Sequence, residues 1–325
     1  MNGILVGTDD GLLQVVPGEE PQRALEGLAV TSLDHREGIS LAGVRGSGVW
    51  VQLSERWRRL SRGAAAGWQQ LWEGNARCVR VAPGDDLYIG VEPPALFSAY
   101  PGAPGGNELG ALRGAVQADR QSRTPVSVQD TYVTGIAFSD RGPEEGMYVA
   151  VAGGGVWYAP DTGYGLSFER FERRSEGLDP DLHGVWMHPQ RPERLFASTA
   201  SGLFRSADGG RIWVQSVAGL DRSHARDGVV MPGTPDVLLL SCARRQGGLE
   251  GALFRSSDDG LSWARVALGG EDEWERAPLV TRLWDSEDTV FVAAGEQLWG
   301  SHDAAETWVL LADGLPPPRA LAVAL

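Results

Sequence analysis

Seven in-phase copies of a short apolar signature, a matching step across the joined chain ends and an almost complete lack of helical periodicity predict an all-β chain, a seven-bladed β-propeller of four-stranded blades. The signature is a small or polar residue, then an aliphatic, then a bulky apolar one. It reads Gly11-Leu12-Leu13, Gly48-Val49-Trp50, Ala95-Leu96-Phe97, Gly155-Val156-Trp157, Gly202-Leu203-Phe204, Ala252-Leu253-Phe254 and Gln297-Leu298-Trp299. Successive aliphatic positions lie 37, 47, 60, 47, 50 and 45 residues apart, each about one blade.

Around each copy, β-branched and aromatic runs alternate with Gly, Pro and Asp turns, as short antiparallel strands do. In the fifth unit, residues 183–188 read as the inner strand, 194–199 as the second, 202–206 as the third and 212–217 as the outer one. Equivalent second strands fall at 4–7, 39–44, 87–91, 147–152, 237–242 and 289–294. The first unit lacks an inner strand, whereas residues 319–325 form an inner strand with no unit of their own. Pairing the two gives a wrap-around step of 39 residues and removes exposed sheet edges, so 1–325 is expected to form one closed domain. The 60-residue step contains an insertion near 101–131, either a lid or a surface loop, with a short helix predicted over 111–121. Residues 57–60 read as outer strand, and Trp68 and Trp72 as part of an expanded connection, where each either packs in the core, the favoured reading, or lines the ligand face.

Three residues after the aliphatic position, the last three units carry a second signature. It comprises Ser206, Asp208, Gly210 and Trp213, then Ser256, Asp258, Gly260 and Trp263, then Ser301, Asp303 and Trp308, with Ala305 in the glycine position of the third copy. A carboxylate that accepts turn amides, a glycine that tolerates positive φ and a tryptophan that covers the sheet suit a hairpin. These segments resemble the Asp-box, or BNR repeat, of sialidases, sortilin-type receptors, xyloglucan hydrolases and photosystem II assembly factors. A degenerate fourth copy reads Asp161-Thr162-Gly163 with Ser167-Phe168, and residues 3–15 resemble uncharacterised, sialidase-like bacterial BNR proteins. The resemblance implies a propeller whose boxes sit on the outer rim, away from the ligand face, and so implies a structural role for these residues.

Composition narrows the function. With 43 acidic and 29 basic residues the chain carries a net charge of −14, which repels a nucleic-acid backbone. No apolar run approaches the roughly 20 residues of a membrane span. The amino terminus has no export pattern, and Cys78 and Cys242 lack disulfide or metal-ligand spacing, so a monomer in a reducing cytoplasm is expected. The glycine-rich stretch 102–106 has no following Lys-Ser or Lys-Thr, and no cofactor or metal is expected.

In the predicted strand order, second-to-third turns and outer-to-inner connections share one end of the channel, the default ligand face. The turns present Arg45, Glu92, Arg244, Arg245 and Glu296, and the connections present His183, His224, Arg226, Asp227 and Glu275. The densest chemistry is 221–227, where His224 titrates near neutrality and Arg222 and Arg226 suit a carboxylate. The competing account of each loop is an ordinary solvated surface. The sialidase resemblance implies an amino-terminal Arg-Ile-Pro motif, three carboxylate-binding arginines and a Tyr–Glu pair. The motif is absent, and Tyr132, Tyr148 and Tyr158 read equally well as core or rim. The sequence therefore favours a non-catalytic binding or scaffold propeller for a protein partner or a small acidic or glycan ligand. A sialidase-like glycoside hydrolase or lyase is the alternative.

Overall fold

The computed structural model describes residues 3–61, 65–82, 86–122, 131–138, 146–160 and 168–324, which form seven antiparallel sheets arranged as the blades of a propeller. Blade 1 joins Ala320–Ala324 to Gly3–Thr8, Gly11–Val15 and Gln22–Ala24, so the two chain ends close the ring with Gly3 opposite Ala324 and Gly7 opposite Ala320. Blades 2 to 7 follow in chain order, with inner strands Val30–Arg36, Ala76–Val81, Val133–Phe138, Leu182–Met187, His224–Met231 and Leu279–Arg282.

Second strands are the most apolar because both their faces are covered by neighbouring blades. Every residue of Ile39–Val44, Leu87–Val91, Gly146–Val151 and Val290–Ala294 is buried. The core is accordingly divided into seven clusters, each between adjacent blades; one packs Ile39, Leu41 and Val51 of blade 2 against Val79, Leu87 and Ile89 of blade 3. Each fully buried aliphatic of this kind contributes about 1.5–3 kcal/mol. Blades also approach closely at glycines of the second strand: a Cβ on Gly90 would lie 2.4 Å from Val133 Cγ1, and one on Gly7 would lie 2.8 Å from Val30 Cγ1.

Three turns between third and outer strands share one hydrogen-bond pattern. The Ser206 hydroxyl donates to Asp208 Oδ1 at 2.7 Å and accepts the Gly210 amide, while Asp208 Oδ1 accepts the Arg211 and Ile212 amides at 3.0 Å. Ser256 and Asp258, and Ser301 and Asp303, repeat it with Gly260 and Ala305. Trp213 and Trp263 are buried, and Trp308 packs against the core between blades 6 and 7. The expected fourth copy lies at 161–167, outside the described residues.

Several sequence expectations change. Residues Glu55–Leu60 form a helix, α1, and not an outer strand; the outer strand of blade 2 is Trp68–Trp72, where Trp72 packs on Phe97 with ring centroids 5.1 Å apart. The glycine-rich stretch belongs to the outer strand of blade 3, Ala103–Glu108. The predicted helix is Ala111–Ser122, α2, whose Leu112 and Val116 are buried between blades 3 and 4, so its described residues are a cover for that seam and not a channel lid. Blade 6 gains a short fifth strand, Trp274–Arg276, paired to Leu249 and Gly251. Neither helix is long and apolar enough to cross a membrane.

Replacing Gly90 with Ala is expected to cost about 1–3 kcal/mol by overpacking against Val133; an unchanged melting temperature would overturn the close-approach account. A second outcome concerns acid. The hydroxyl and amide of Ser262 hold the Asp258 carboxyl down at about 2 from its ordinary 3.8. Its stabilisation is therefore complete above about pH 4 and lost as pH falls towards 2. The parent protein should lose more melting temperature over that interval than Asp258→Asn, and equal losses would remove the turn from the acid response.

Candidate functional site

Five inner strands break register near their start, four after the first pair and the fifth after the second: between Val30 and Ser32, Ala76 and Cys78, Val133 and Gly135, Leu182 and Gly184, and Ala225 and Asp227. A β-bulge leaves one residue out of the ladder and re-aims its side chain. The displaced residues are Thr31, Arg77, Thr134, His183 and Arg226. In blade 1, Arg319 holds the same level, one residue before Ala320, and its amide donates to Gly7 O at 2.7 Å. These six residues line one cavity of about 360 Å³ at the channel end where the second-to-third turns lie, here termed the upper mouth.

The charge of this cavity opposes that of the chain. Its lining includes Arg77, Arg80, Arg226, Arg282 and Arg319 against a single carboxylate, Asp227. Arg80 is committed to the ring: it meets Asp34 at 3.3 Å and donates to Ile136 O at 3.0 Å, joining the inner strands of blades 2, 3 and 4. Arg319 donates to Asp9 Oδ2 at 2.8 Å, which lowers the Asp9 pKa. Arg77 lies 3.6 Å from Glu92 and stacks 4.0 Å over the Tyr132 ring. Arg226 is exposed and makes no ion pair among the described residues. The Thr134 hydroxyl oxygen, on the same wall, is buried without a hydrogen-bond partner.

Asp227 is held as an acceptor. Its carboxylate takes the amides of Gly228 at 2.9 Å and Val280 at 3.3 Å, and burial pushes its pKa up. His183 meets Ala225 O through Nδ1 at 2.5 Å, which fixes the proton on that nitrogen. Burial lowers its pKa to about 4, so the ring is neutral at pH 7. The His224 ring packs against it with centroids 4.3 Å apart, and burial lowers its pKa too.

Of the ten residues picked from sequence, the structure brings His183, Arg226 and Asp227 to the cavity wall, with His224 behind them. The others do not line it. Arg45 stands 3.8 Å from Asp9 on the rim, and Glu92 serves Arg77 and Asn75. Arg244 and Arg245 extend a long hairpin and pair with Glu250 at 3.6 and 2.6 Å. Glu275 is exposed on the added strand of blade 6, and Glu296 is exposed in a turn where its carbonyl accepts the Leu315 amide. The expected bidentate pair of Arg222 and Arg226 is not formed. The Arg222 side chain is buried, donates to Glu250 O at 2.6 Å and pairs with Glu273, which ties the connection to the hairpin.

Sequence reasoning missed Arg77, Thr31 and Thr134. Their common signal is the strand level, which the variable distance from the repeated aliphatic position hides. It also missed a buried cluster on the opposite face, where fully buried Asp236 accepts from His188, Arg191 and Arg194. All its members are paired, which suits a structural lock. Tyr148 and Tyr158 are buried with Arg174, 3.6 Å over the Tyr158 ring, away from the channel. Among the described residues no three His, Cys, Asp or Glu side chains gather as a metal group.

No family model and no curated protein matches the chain. Solved structures match in fold. A GH74 xyloglucanase from Xanthomonas campestris aligns with TM-score 0.59 and 13% identity over 87% of this chain and 45% of its own. A candidate 6-phosphogluconolactonase from Bacteroides fragilis aligns at 0.62 and 12%, covering 98% and 96%. YCF48 bound to D1 peptide aligns at 0.58 and 14%, covering 94% and 89%. The chain spans less than half the length of the GH74 enzymes that it matches. Neighbours this divergent establish the propeller fold.

The His183 ring is expected to titrate near pH 4 when followed by NMR. A midpoint at the ordinary value of about 6.5 would mean that the upper mouth is hydrated and the ring is free of its carbonyl partner.

Proposed function

We propose that this chain is a non-catalytic binding propeller that holds an anionic group, foremost a carboxylate, of its ligand in the upper cavity. The observation that carries the reading is the exposed Arg226, without an ion pair among the described residues, on a cavity wall whose other arginines, Arg77, Arg80, Arg282 and Arg319, face one lining carboxylate, Asp227, in a chain of net charge −14. Arginine forks match carboxylate geometry, and a recessed, cation-lined cavity concentrates anions against the field of the whole molecule. Arg226 supplies the least committed guanidinium, and Arg77 and Arg319 stand at the same level on other blades. Thr134 adds a hydroxyl without a partner.

The non-catalytic part of the reading rests on the carboxylate inventory. Two-carboxylate glycoside hydrolysis needs an acid and a second carboxylate at defined separation. The upper cavity offers only Asp227, already bound to two amides, and no tyrosine lines it. The YCF48 neighbour carries a peptide, so a carboxylate-bearing polypeptide falls within the same class of ligand.

Thermal-shift measurements with citrate, glucuronate, N-acetylneuraminate, phosphate and a peptide with a free carboxyl terminus test this. A ligand at 100 times its dissociation constant adds about 2.7 kcal/mol of stability. Arg226→Ala should weaken binding about tenfold, the loss of one charge-assisted hydrogen bond, whereas Arg45→Ala on the rim should leave it within about twofold. The absence of any shift, or a shift equal in Arg226→Ala, would overturn the assignment.

A further inference from the structure

The opposite end of the channel holds a second cavity of about 530 Å³, in the size range of small-molecule sites. It lies among the connections between inner and second strands, and its chemistry differs from that of the upper mouth. Its acids, Asp34, Asp285 and Glu287, are matched in number by Arg36, Arg80 and Arg282. Asp34 is already taken by Arg80 and by the Val81 amide at 2.8 Å. His35, whose pKa burial lowers, adds no charge at neutral pH. The cavity therefore presents no net charge to attract an ion.

What it presents is a flat apolar surface amid polar groups. Trp284 is 43% exposed on the cavity wall, and the Arg36 guanidinium sits 5.4 Å from its ring centroid, which fixes the indole in place. Gln190 of blade 5 donates to Glu287 Oε1 of blade 7 at 2.5 Å, so the rim is braced across blade 6. Deeper, Trp186 lines both cavities and packs its ring on Phe196, with centroids 6.3 Å apart, at the seam between blades 5 and 6.

We infer that the lower cavity is a binding site for a neutral pyranose-type saccharide. An apolar C–H ring face would stack on Trp284, and hydroxyls would meet the balanced polar wall of Asp285, Glu287, Gln190 and Arg282. A charged ligand would find no surplus of opposite charge there. A purely apolar ligand would strand the carboxylates and guanidinia of the wall. The two cavities share Arg80, Arg282 and Trp186 along the channel, but the assignments rest on different residues, Trp284 below and Arg226 above, so either stands if the other fails.

Saturation-transfer NMR and calorimetry with cellobiose, xylobiose, maltose and N,N′-diacetylchitobiose test it on the full chain. At least one is expected to bind, with saturation strongest on ring C–H protons. Trp284→Ala, at an unchanged melting temperature, should weaken that disaccharide about tenfold, and Trp284→Phe, which keeps a smaller flat face, by about threefold. Arg226→Ala should leave it unchanged. Binding by none of the four, binding indifferent to Trp284→Ala, or binding lost in Arg226→Ala would each overturn the proposal.

Discussion

The burial of each blade between two others is the constraint on which the structure depends. A four-stranded sheet with both faces apolar has no stable existence alone, and only a closed ring gives every blade two neighbours. The seven interblade clusters are the result, and the antiparallel pairing of Gly3–Thr8 with Ala320–Ala324 is the step that supplies the last two interfaces. Tight seams explain the small residues: Gly7 and Gly90 stand where Val30 and Val133 of the following blade press in.

Closure creates a second problem, because inner strands turn an unpaired edge towards the channel. Neighbouring blades answer it with side chains: Ser32 and Asp34 accept the amides of Val79 and Val81, Arg80 donates to Ile136 O, and Asp227 accepts the Val280 amide. The polar residues of the channel thus divide into two groups. Asp34, Arg80 and Asp227 join blades, and their charges are consumed by that work. The bulged residues at the upper mouth stand clear of the ladder, and there Arg226 is exposed and makes no ion pair among the described residues.

The same division separates the two ends of the channel. Upper-mouth residues come from one strand level repeated round the ring, so a few arginines at that level make a convergent cationic site in an acidic protein. Lower-mouth residues come from connections of unequal length, which gives a larger, charge-balanced cavity with one exposed indole. A single fold therefore carries two cavities of unlike chemistry on one axis.

The sequence by itself determined the blade count, the closure and the strand order, because each second strand is buried on both faces and must read as a continuous apolar run. The Ser-x-Asp turns were equally legible, since a turn that binds its own amides is a local matter. Tertiary structure alone decided the site. His183, Arg226 and Asp227 were legible as polar residues entering an inner strand, but nothing local separated them from Arg222, which the neighbouring hairpin buries, or from Arg244 and Arg245, which pair on the rim. Arg77 and Thr134 became visible only through the bulges, and Arg36 and Trp284 only through their meeting across blade 1. Convergence at a propeller axis joins residues hundreds of positions apart through strand level and loop length, and neither is written in the spacing of the repeat.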